Sequence, residues 1–224
     1  MSWPKEKALK TLHDVGLIPI VRTPSPDDAL RAAEAIIAGG IGIAEITMTV
    51  PNALRVVEQV AKRFGDQVLV GAGTILDTES CEAAISAGAE FIVTPSLDPR
   101  VIETALRHNK TCIPGALTPT EVLAAWRAGA DLVKIFPCGP VGGPKYIKAL
   151  KGPFPQIELV PTGGVSLETT SEYIRAGAAA VAVGGELVDL KALRAGKLDV
   201  ITSTARKFLE AVRSGRSTAA KKSL

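Results

Sequence analysis

Eight short apolar runs alternate with amphipathic helical patterns along this chain, and that alternation leaves few folds open. The runs fall at 17–22, 43–47, 68–74, 91–95, 111–114, 131–137, 157–164 and 179–185. Most are rich in Ile, Val and Leu on both alternating faces, so each needs cover on two sides, as strands of a parallel sheet do. Helical patterns lie between them, and many carry their own start signals. Ser25-Pro26-Asp27-Asp28 reads as an N-cap, a proline at the first helical position and acids in the first turn. Thr118-Pro119-Thr120-Glu121 reads as a capping box. Helices are expected at 4–15, from 26 to a stop at Gly39-Gly40, and at 51–64 and 77–87. Others should open at Asp98-Pro99 and Thr118, span 145–150 and 166–176, and end the chain at 199–213.

This pattern predicts an α/β fold, a (β/α)₈ TIM barrel with an extra N-terminal helix, as one domain over 1–213. A weak internal repeat supports it. Ala38-Gly39-Gly40, Ala87-Gly88-Ala89, Ala128-Gly129-Ala130 and Ala176-Gly177-Ala178 each precede an even-numbered strand. A doubly wound open sheet would use the same elements. The absence of Gly-x-Gly-x-x-Gly after the first strand argues against its dinucleotide-binding version.

Composition narrows the partners. The net charge of +3 comes from the end of the chain, where Arg206, Lys207, Arg213, Arg216, Lys221 and Lys222 face one acid, Glu210. The remainder holds 20 basic against 22 acidic residues, so no nucleic-acid footprint is expected. Residues 214–224 read as a frayed basic tail. No apolar run is long enough to span a membrane and no signal peptide opens the chain, so the expected location is the cytoplasm. Cys81, Cys112 and Cys138 are too scattered for a disulfide framework or a structural zinc site.

In a barrel, chemistry sits where the strands end. This chain puts Arg22, Glu45, Thr47, Gly73-Thr74, Thr94-Pro95, Pro114-Gly115, Lys134 and Phe136 there, followed by Gly163-Gly164 and Gly184-Gly185. Lys134 sits inside Asp131-Leu132-Val133-Lys134-Ile135-Phe136-Pro137. Burial would lower its pKa toward that of a nucleophilic amine. The competing reading is a strand-end lysine that reaches solvent. Glu45, between Ala44 and Ile46, would pair with it across the barrel if both point inward. The amine could then form a Schiff base with a ketone while the carboxylate moves protons on the neighbouring carbon. A purely structural ion pair is the alternative. The two glycine pairs suit a phosphate cradle at the ends of strands seven and eight, or else simply make tight turns. A metal-based enolate mechanism lacks ligands, because His13 and His108 are the only histidines and both fall in predicted helices. No metal and no other cofactor is expected.

Several segments in order along the chain resemble the KDPG/KHG aldolases. They are Glu45-Ile46-Thr47-Met48-Thr49, Gly71-Ala72-Gly73-Thr74, Thr94-Pro95, Pro114-Gly115, Val133-Lys134-Ile135-Phe136-Pro137, Gly152-Pro153-Phe154 and Pro161-Thr162-Gly163-Gly164. The resemblance implies a class I aldolase and, as is usual in that family, a homotrimer. Its substrate would be 2-keto-3-deoxy-6-phosphogluconate or 4-hydroxy-2-oxoglutarate. It further implies that Lys134 forms the Schiff base with pyruvate and that Glu45 is the general acid/base. Thr74 would bind the carboxylate, Pro95 and Phe136 would shape the pocket, and Gly163, Gly164, Gly184 and Gly185 would take phosphate. The chain departs from the family pattern at two points. Thr49 stands where many members have arginine, and Arg22 is expected to supply that cation. Gly185 stands where a phosphate-binding serine is common, with Glu186 beside it. A sugar-phosphate isomerase and a non-catalytic binding barrel remain as readings from other classes.

Overall fold

The computed structural model describes residues 3–220. Among the described residues nine strands form in chain order: β1 (Leu17–Val21), β2 (Ile43–Thr47), β3 (Leu69–Gly73), β4 (Phe91–Val93), β5 (Thr111–Ile113), β6 (Gly115–Ala116), β7 (Val133–Ile135), β8 (Leu159–Pro161) and β9 (Val181–Val183). Six of them run β5-β4-β3-β2-β1-β9 and three run β6-β7-β8, with every pairing parallel.

The two sheets are one ring. Pro114 divides the fifth stave, because proline brings no N–H to the ladder. Before it β5 pairs with β4, and after it β6 pairs with β7 through Gly115 and Lys134. At the other seam Thr162 bridges Ala182, and the Ala179 N–H donates to the Leu159 carbonyl at 2.9 Å. Both edges are therefore joined, which a doubly wound open sheet would not allow. The result is an eight-stave barrel, buried on both faces of its strands.

Helices α1 (Lys5–Val15), α2 (Pro26–Ala38), α3 (Ala53–Phe64), α4 (Thr78–Ser86), α5 (Pro99–Arg107), α6 (Pro119–Arg127), α7 (Pro144–Lys151) and α8 (Leu167–Arg175) follow the expected pattern. The starts that the sequence marks are capped as expected. Ser25 accepts from the Asp28 N–H, and Thr118 and Glu121 form the capping box. The extra helix α1 is tied to the foot of the barrel. Lys5 Nζ lies 2.9 Å from Asp131 Oδ1, and Asp131 Oδ2 accepts from the Cys112 N–H at 3.0 Å.

Two features differ from the sequence reading. A five-residue helix, α9 (Leu190–Arg194), follows β9 and is capped by Asp189, whose carboxylate accepts from the Lys191 and Ala192 N–H groups. It is too short to leave a periodic signal. The last helix, α10 (Leu198–Ala220), does not end at Arg213. Residues 214–220, expected to fray, are helical, and Gly215 and Arg216 anchor this end of the helix. Gly215 lets α10 approach α8, where a Cβ would fall 2.8 Å from Ile174. Arg216 donates to the His13 and Asp14 carbonyls at the end of α1 (2.6 Å to Asp14), satisfying carbonyls a helix end leaves open. Residues 221–224 of the expected tail lie outside the described residues. Among the described residues no helix is long and apolar enough to cross a membrane.

Candidate active site

β2 carries Glu45 and β7 carries Lys134 into the barrel, where they are 1% and 7% exposed. Two glycines on β3 make room inside. A Cβ at Gly71 would lie 2.3 Å from the Phe91 ring, and one at Gly73 would lie 1.9 Å from Glu45 Oε1. Phe91, fully buried, fills the space beside Gly71, and the Glu45 carboxylate fills the space beside Gly73. Small residues on one stave thus accept large ones from its neighbours.

Burial dominates the electrostatics of both groups. Desolvation raises the Glu45 pKa, while Lys134 and Arg22 pull the other way. Desolvation lowers the Lys134 pKa, opposed by Glu45 and reinforced by Arg22. The expected amine–carboxylate pair is therefore real as a field but not as a contact. No hydrogen bond and no ion pair within 4.0 Å joins them, and Glu45 Oε2 is buried without a partner. A structural ion pair would satisfy that oxygen; this arrangement leaves it available. Lys134 Nζ lies instead 5.2 Å from the centre of the Phe136 ring.

Above these groups opens a cavity of about 530 Å³. Arg22, Thr74, Pro95, Lys134, Phe136, Gly163, Gly164, Gly184 and Gly185 all line it. Nine of the ten residues given a catalytic or binding role from the sequence therefore meet there, and the tenth, Glu45, is the buried carboxylate coupled to both of its cations; Thr47, Gly73, Thr94, Pro114 and Gly115, also expected at the strand ends, do not line it. At one wall Arg22 Nη2 donates to Thr74 Oγ1 at 3.3 Å. Thr74 holds φ at 60°, a left-handed conformation rare for a β-branched residue and costing on the order of 1–3 kcal/mol. Thr49 does not take part in this contact; its hydroxyl is bonded to that of Thr47 at 2.8 Å.

The other wall is backbone. Gly163 and Gly164 have φ of 80° and 85°. A Cβ at Gly164 would come within 2.8 Å of Gly139, and one at Gly163 within 3.3 Å of Phe136, so both positions require glycine. Gly184 and Gly185 differ. Neither has positive φ, and a Cβ at Gly185 would meet nothing within 4 Å. The N–H groups of Gly164, Val165, Gly185 and Glu186, all residues that line the cavity, make no backbone bond among the described residues, so they are unengaged donors of the kind an anion cradle uses. The exposed carboxylate of Glu186 shares that wall.

Sequence reasoning did not assign Ile20, Val165, Val188 and Leu190 to the cavity, although they line it. Apolar residues give no local signal that they face a cavity and not the core. The thiols are unsuited to catalysis. All three are buried, and burial pushes those of Cys81 and Cys138 up to about 11 and that of Cys112 higher still. Among the described residues no group of three or more His, Cys, Asp or Glu could hold a metal ion.

Comparison with known proteins agrees with this arrangement. Residues 8–204 match the family model for KDPG and KHG aldolase. The 2-dehydro-3-deoxy-phosphogluconate aldolase of Treponema pallidum is 34% identical over 203 residues, covering 91% of this chain and 96% of that protein. The 2-dehydro-3-deoxy-6-phosphogalactonate aldolase of Escherichia coli is 38% identical over 172 residues, covering 76% and 83%. A crystal structure of KDPG aldolase from Legionella pneumophila, with pyruvate captured as a covalent carbinolamine intermediate, superposes with a TM-score of 0.82. It is 29% identical and the match covers 89% of this chain and 96% of that one. Fold, cavity and sequence agree: this chain is an aldolase of the KDPG and KHG aldolase family.

Proposed function

We propose that this enzyme reversibly cleaves 2-keto-3-deoxy-6-phosphogluconate to pyruvate and glyceraldehyde 3-phosphate, and 4-hydroxy-2-oxoglutarate to pyruvate and glyoxylate, through an imine on Lys134. The observation that carries this reading is a buried amine and a buried carboxylate, coupled but not in contact, below a cavity of about 530 Å³.

Burial favours the neutral amine, which attacks the substrate ketone to give a carbinolamine. Loss of water gives the protonated imine. Glu45 takes the proton of the C4 hydroxyl, and the C3–C4 bond breaks. Its electron pair passes into the enamine and the aldehyde departs. The same carboxylate, directly or through water, returns a proton to C3, and hydrolysis of the imine frees pyruvate and Lys134. Raised by burial, Glu45 suits both directions of that transfer. No metal or organic cofactor is needed for this sequence. Arg22 and Thr74 bind the carboxylate, in place of a cation at Thr49, while Pro95 and Phe136 confine the keto acid. The backbone at Gly163, Gly164, Gly184 and Gly185 takes the phosphate. A homotrimer belongs to the same proposal and predicts a particle of three times 23.3 kDa in light scattering.

One observation supports a second substrate class. Glu186 lines the cradle and Gly185 offers no hydroxyl, which favours unphosphorylated 2-keto-3-deoxy acids, while the similarity to a phosphogalactonate aldolase supports epimeric ones. Parallel turnover of phosphorylated and unphosphorylated substrates separates the two. The central test is borohydride reduction with pyruvate, followed by peptide mapping. An adduct on Lys134 is expected, and its absence overturns the imine mechanism.

A further inference from the structure

Gly73 lacks a side chain where one would collide with the Glu45 carboxylate. On the β2–β3 ladder Glu45 is paired with Gly71, and Thr47 with Gly73. The carboxyl group therefore leans past its own partner toward the C-terminal end of the barrel and lies against Gly73. A Cβ there would fall 1.9 Å from Oε1, 2.7 Å from the carboxyl carbon and 2.8 Å from Cγ, all inside the 3.0 Å limit of real contacts. The backbone does not itself ask for glycine, since φ of Gly73 is not positive. Its neighbour on the same inner face, Gly71, serves a different residue by admitting the Phe91 ring. Phe91 thereby occupies the space beside Glu45's ladder partner, and the space at Gly73 is left for the carboxylate.

We propose that Gly73 is a positioning residue, whose missing side chain seats the Glu45 carboxylate for proton transfer at the carbon beside the Lys134 imine. The proposal rests on the aldolase reading above. Imine formation itself needs the amine and the pyruvate ketone, with water leaving. The next step depends on the seat: a methyl proton of the bound pyruvate passes to Glu45, and the C–H electron pair forms the enamine double bond. In D₂O the return step places deuterium on the methyl carbon.

The test is Gly73→Ala in the full-length enzyme, read in two ways. Borohydride trapping of pyruvate on Lys134 is expected to persist. Methyl-proton exchange in D₂O, followed by NMR, is expected to fall about 100-fold or more, the scale of a lost general base. The shorter Glu45→Asp variant provides the rescue. In that background Gly73→Ala is expected to cost less than about 3-fold, as a steric coupling between two touching positions requires. Exchange in Gly73→Ala within about 3-fold of wild type overturns the proposal. So does an equal loss in both backgrounds, or a parallel loss of trapping and exchange. If Gly73→Ala alone does not fold, recovery of folding in the double variant supports the seat and failure of both overturns it. Absence of the adduct in the wild type overturns the aldolase reading, and this proposal with it.

Discussion

Arg22 Nη2 donates a hydrogen bond of 3.3 Å to Thr74 Oγ1, linking the end of the first stave to the turn after the third. The bond passes over the stave that carries Glu45 and brings a cation to a wall where the sequence motif itself supplies only Thr49. Thr74 meets it from a left-handed backbone that threonine adopts at a cost.

The first prediction concerns that pair. On the proposed function, Arg22→Ala removes a charged hydrogen bond to the substrate carboxylate, worth about 1.5–3 kcal/mol. KM for pyruvate in the condensation direction should rise roughly 10- to 100-fold, with a smaller effect on kcat. An unchanged KM in steady-state assays would remove Arg22 from the carboxylate site.

Thr74→Gly should separate function from stability. Glycine relieves the left-handed strain of about 1–3 kcal/mol and gives back about 0.5–1 kcal/mol in chain entropy. Thermal unfolding should therefore show an unchanged or higher Tm while KM for pyruvate increases. A lower Tm would mean that the threonine side chain holds the turn.

Activity should depend on pH through both buried groups. As the proposed base, Glu45 must be ionised to accept a proton, and its pKa lies above 4.5, so the acid limb of kcat should fall above that value. As the proposed nucleophile, Lys134 must be neutral to attack, and its pKa lies below 10.5, so imine formation should accelerate before that pH is reached. The same shifts bear on stability. A raised carboxylate stabilises the fold most below its unfolded pKa, and that contribution is lost as pH rises through the folded value. Glu45→Gln should therefore be more stable than wild type at neutral pH, with the advantage shrinking toward pH 4.5. A depressed lysine contributes stability above 10.5 that is lost as pH falls through its folded value, so Lys134→Met should gain at neutral pH as well. Denaturant unfolding across pH 4–10 checks both signs.

At the phosphate end, Gly185→Ser should be tolerated, because a Cβ there meets nothing within 4 Å. A hydroxyl bonded to phosphate is worth about 1.5–3 kcal/mol, so KM for the phosphorylated substrate should fall roughly 10- to 100-fold. Gly164→Ala should instead lower the Tm, since φ of 85° and the approach of Gly139 to 2.8 Å both oppose a side chain. Equal behaviour of the two variants would contradict the division of this wall into a required and an optional glycine pair.

The end of the chain offers a prediction about stability alone. Arg216→Ala loses two bonds to the carbonyls of His13 and Asp14, about 1–2 kcal/mol together. For a chain of this length that is a Tm drop of about 2–8 °C in a thermal scan, with kcat and KM unchanged. No drop would return residues 214–220 to the frayed tail expected from their composition.

What could be read from the residues was whatever is written in local order. Alternating periods marked the staves and helices, Ser25, Asp98 and Thr118 marked helix starts, and an isolated charge in each of two apolar runs marked Glu45 and Lys134. These signals are local because strand burial, capping and desolvation each act within a few residues. Tertiary structure decided whatever depends on distance between segments far apart in the chain. It separated Glu45 from Lys134 by more than an ion-pair contact, brought Arg22 to Thr74 and set Gly215 against α8 and Arg216 against α1. It also distinguished glycines that look alike in sequence. Gly71 and Gly73 make room for Phe91 and Glu45, Gly164 is held by φ and by Gly139, and Gly185 stands free. A missing side chain has meaning only through what fills the space it leaves, and in this barrel the filling residues come from neighbouring staves.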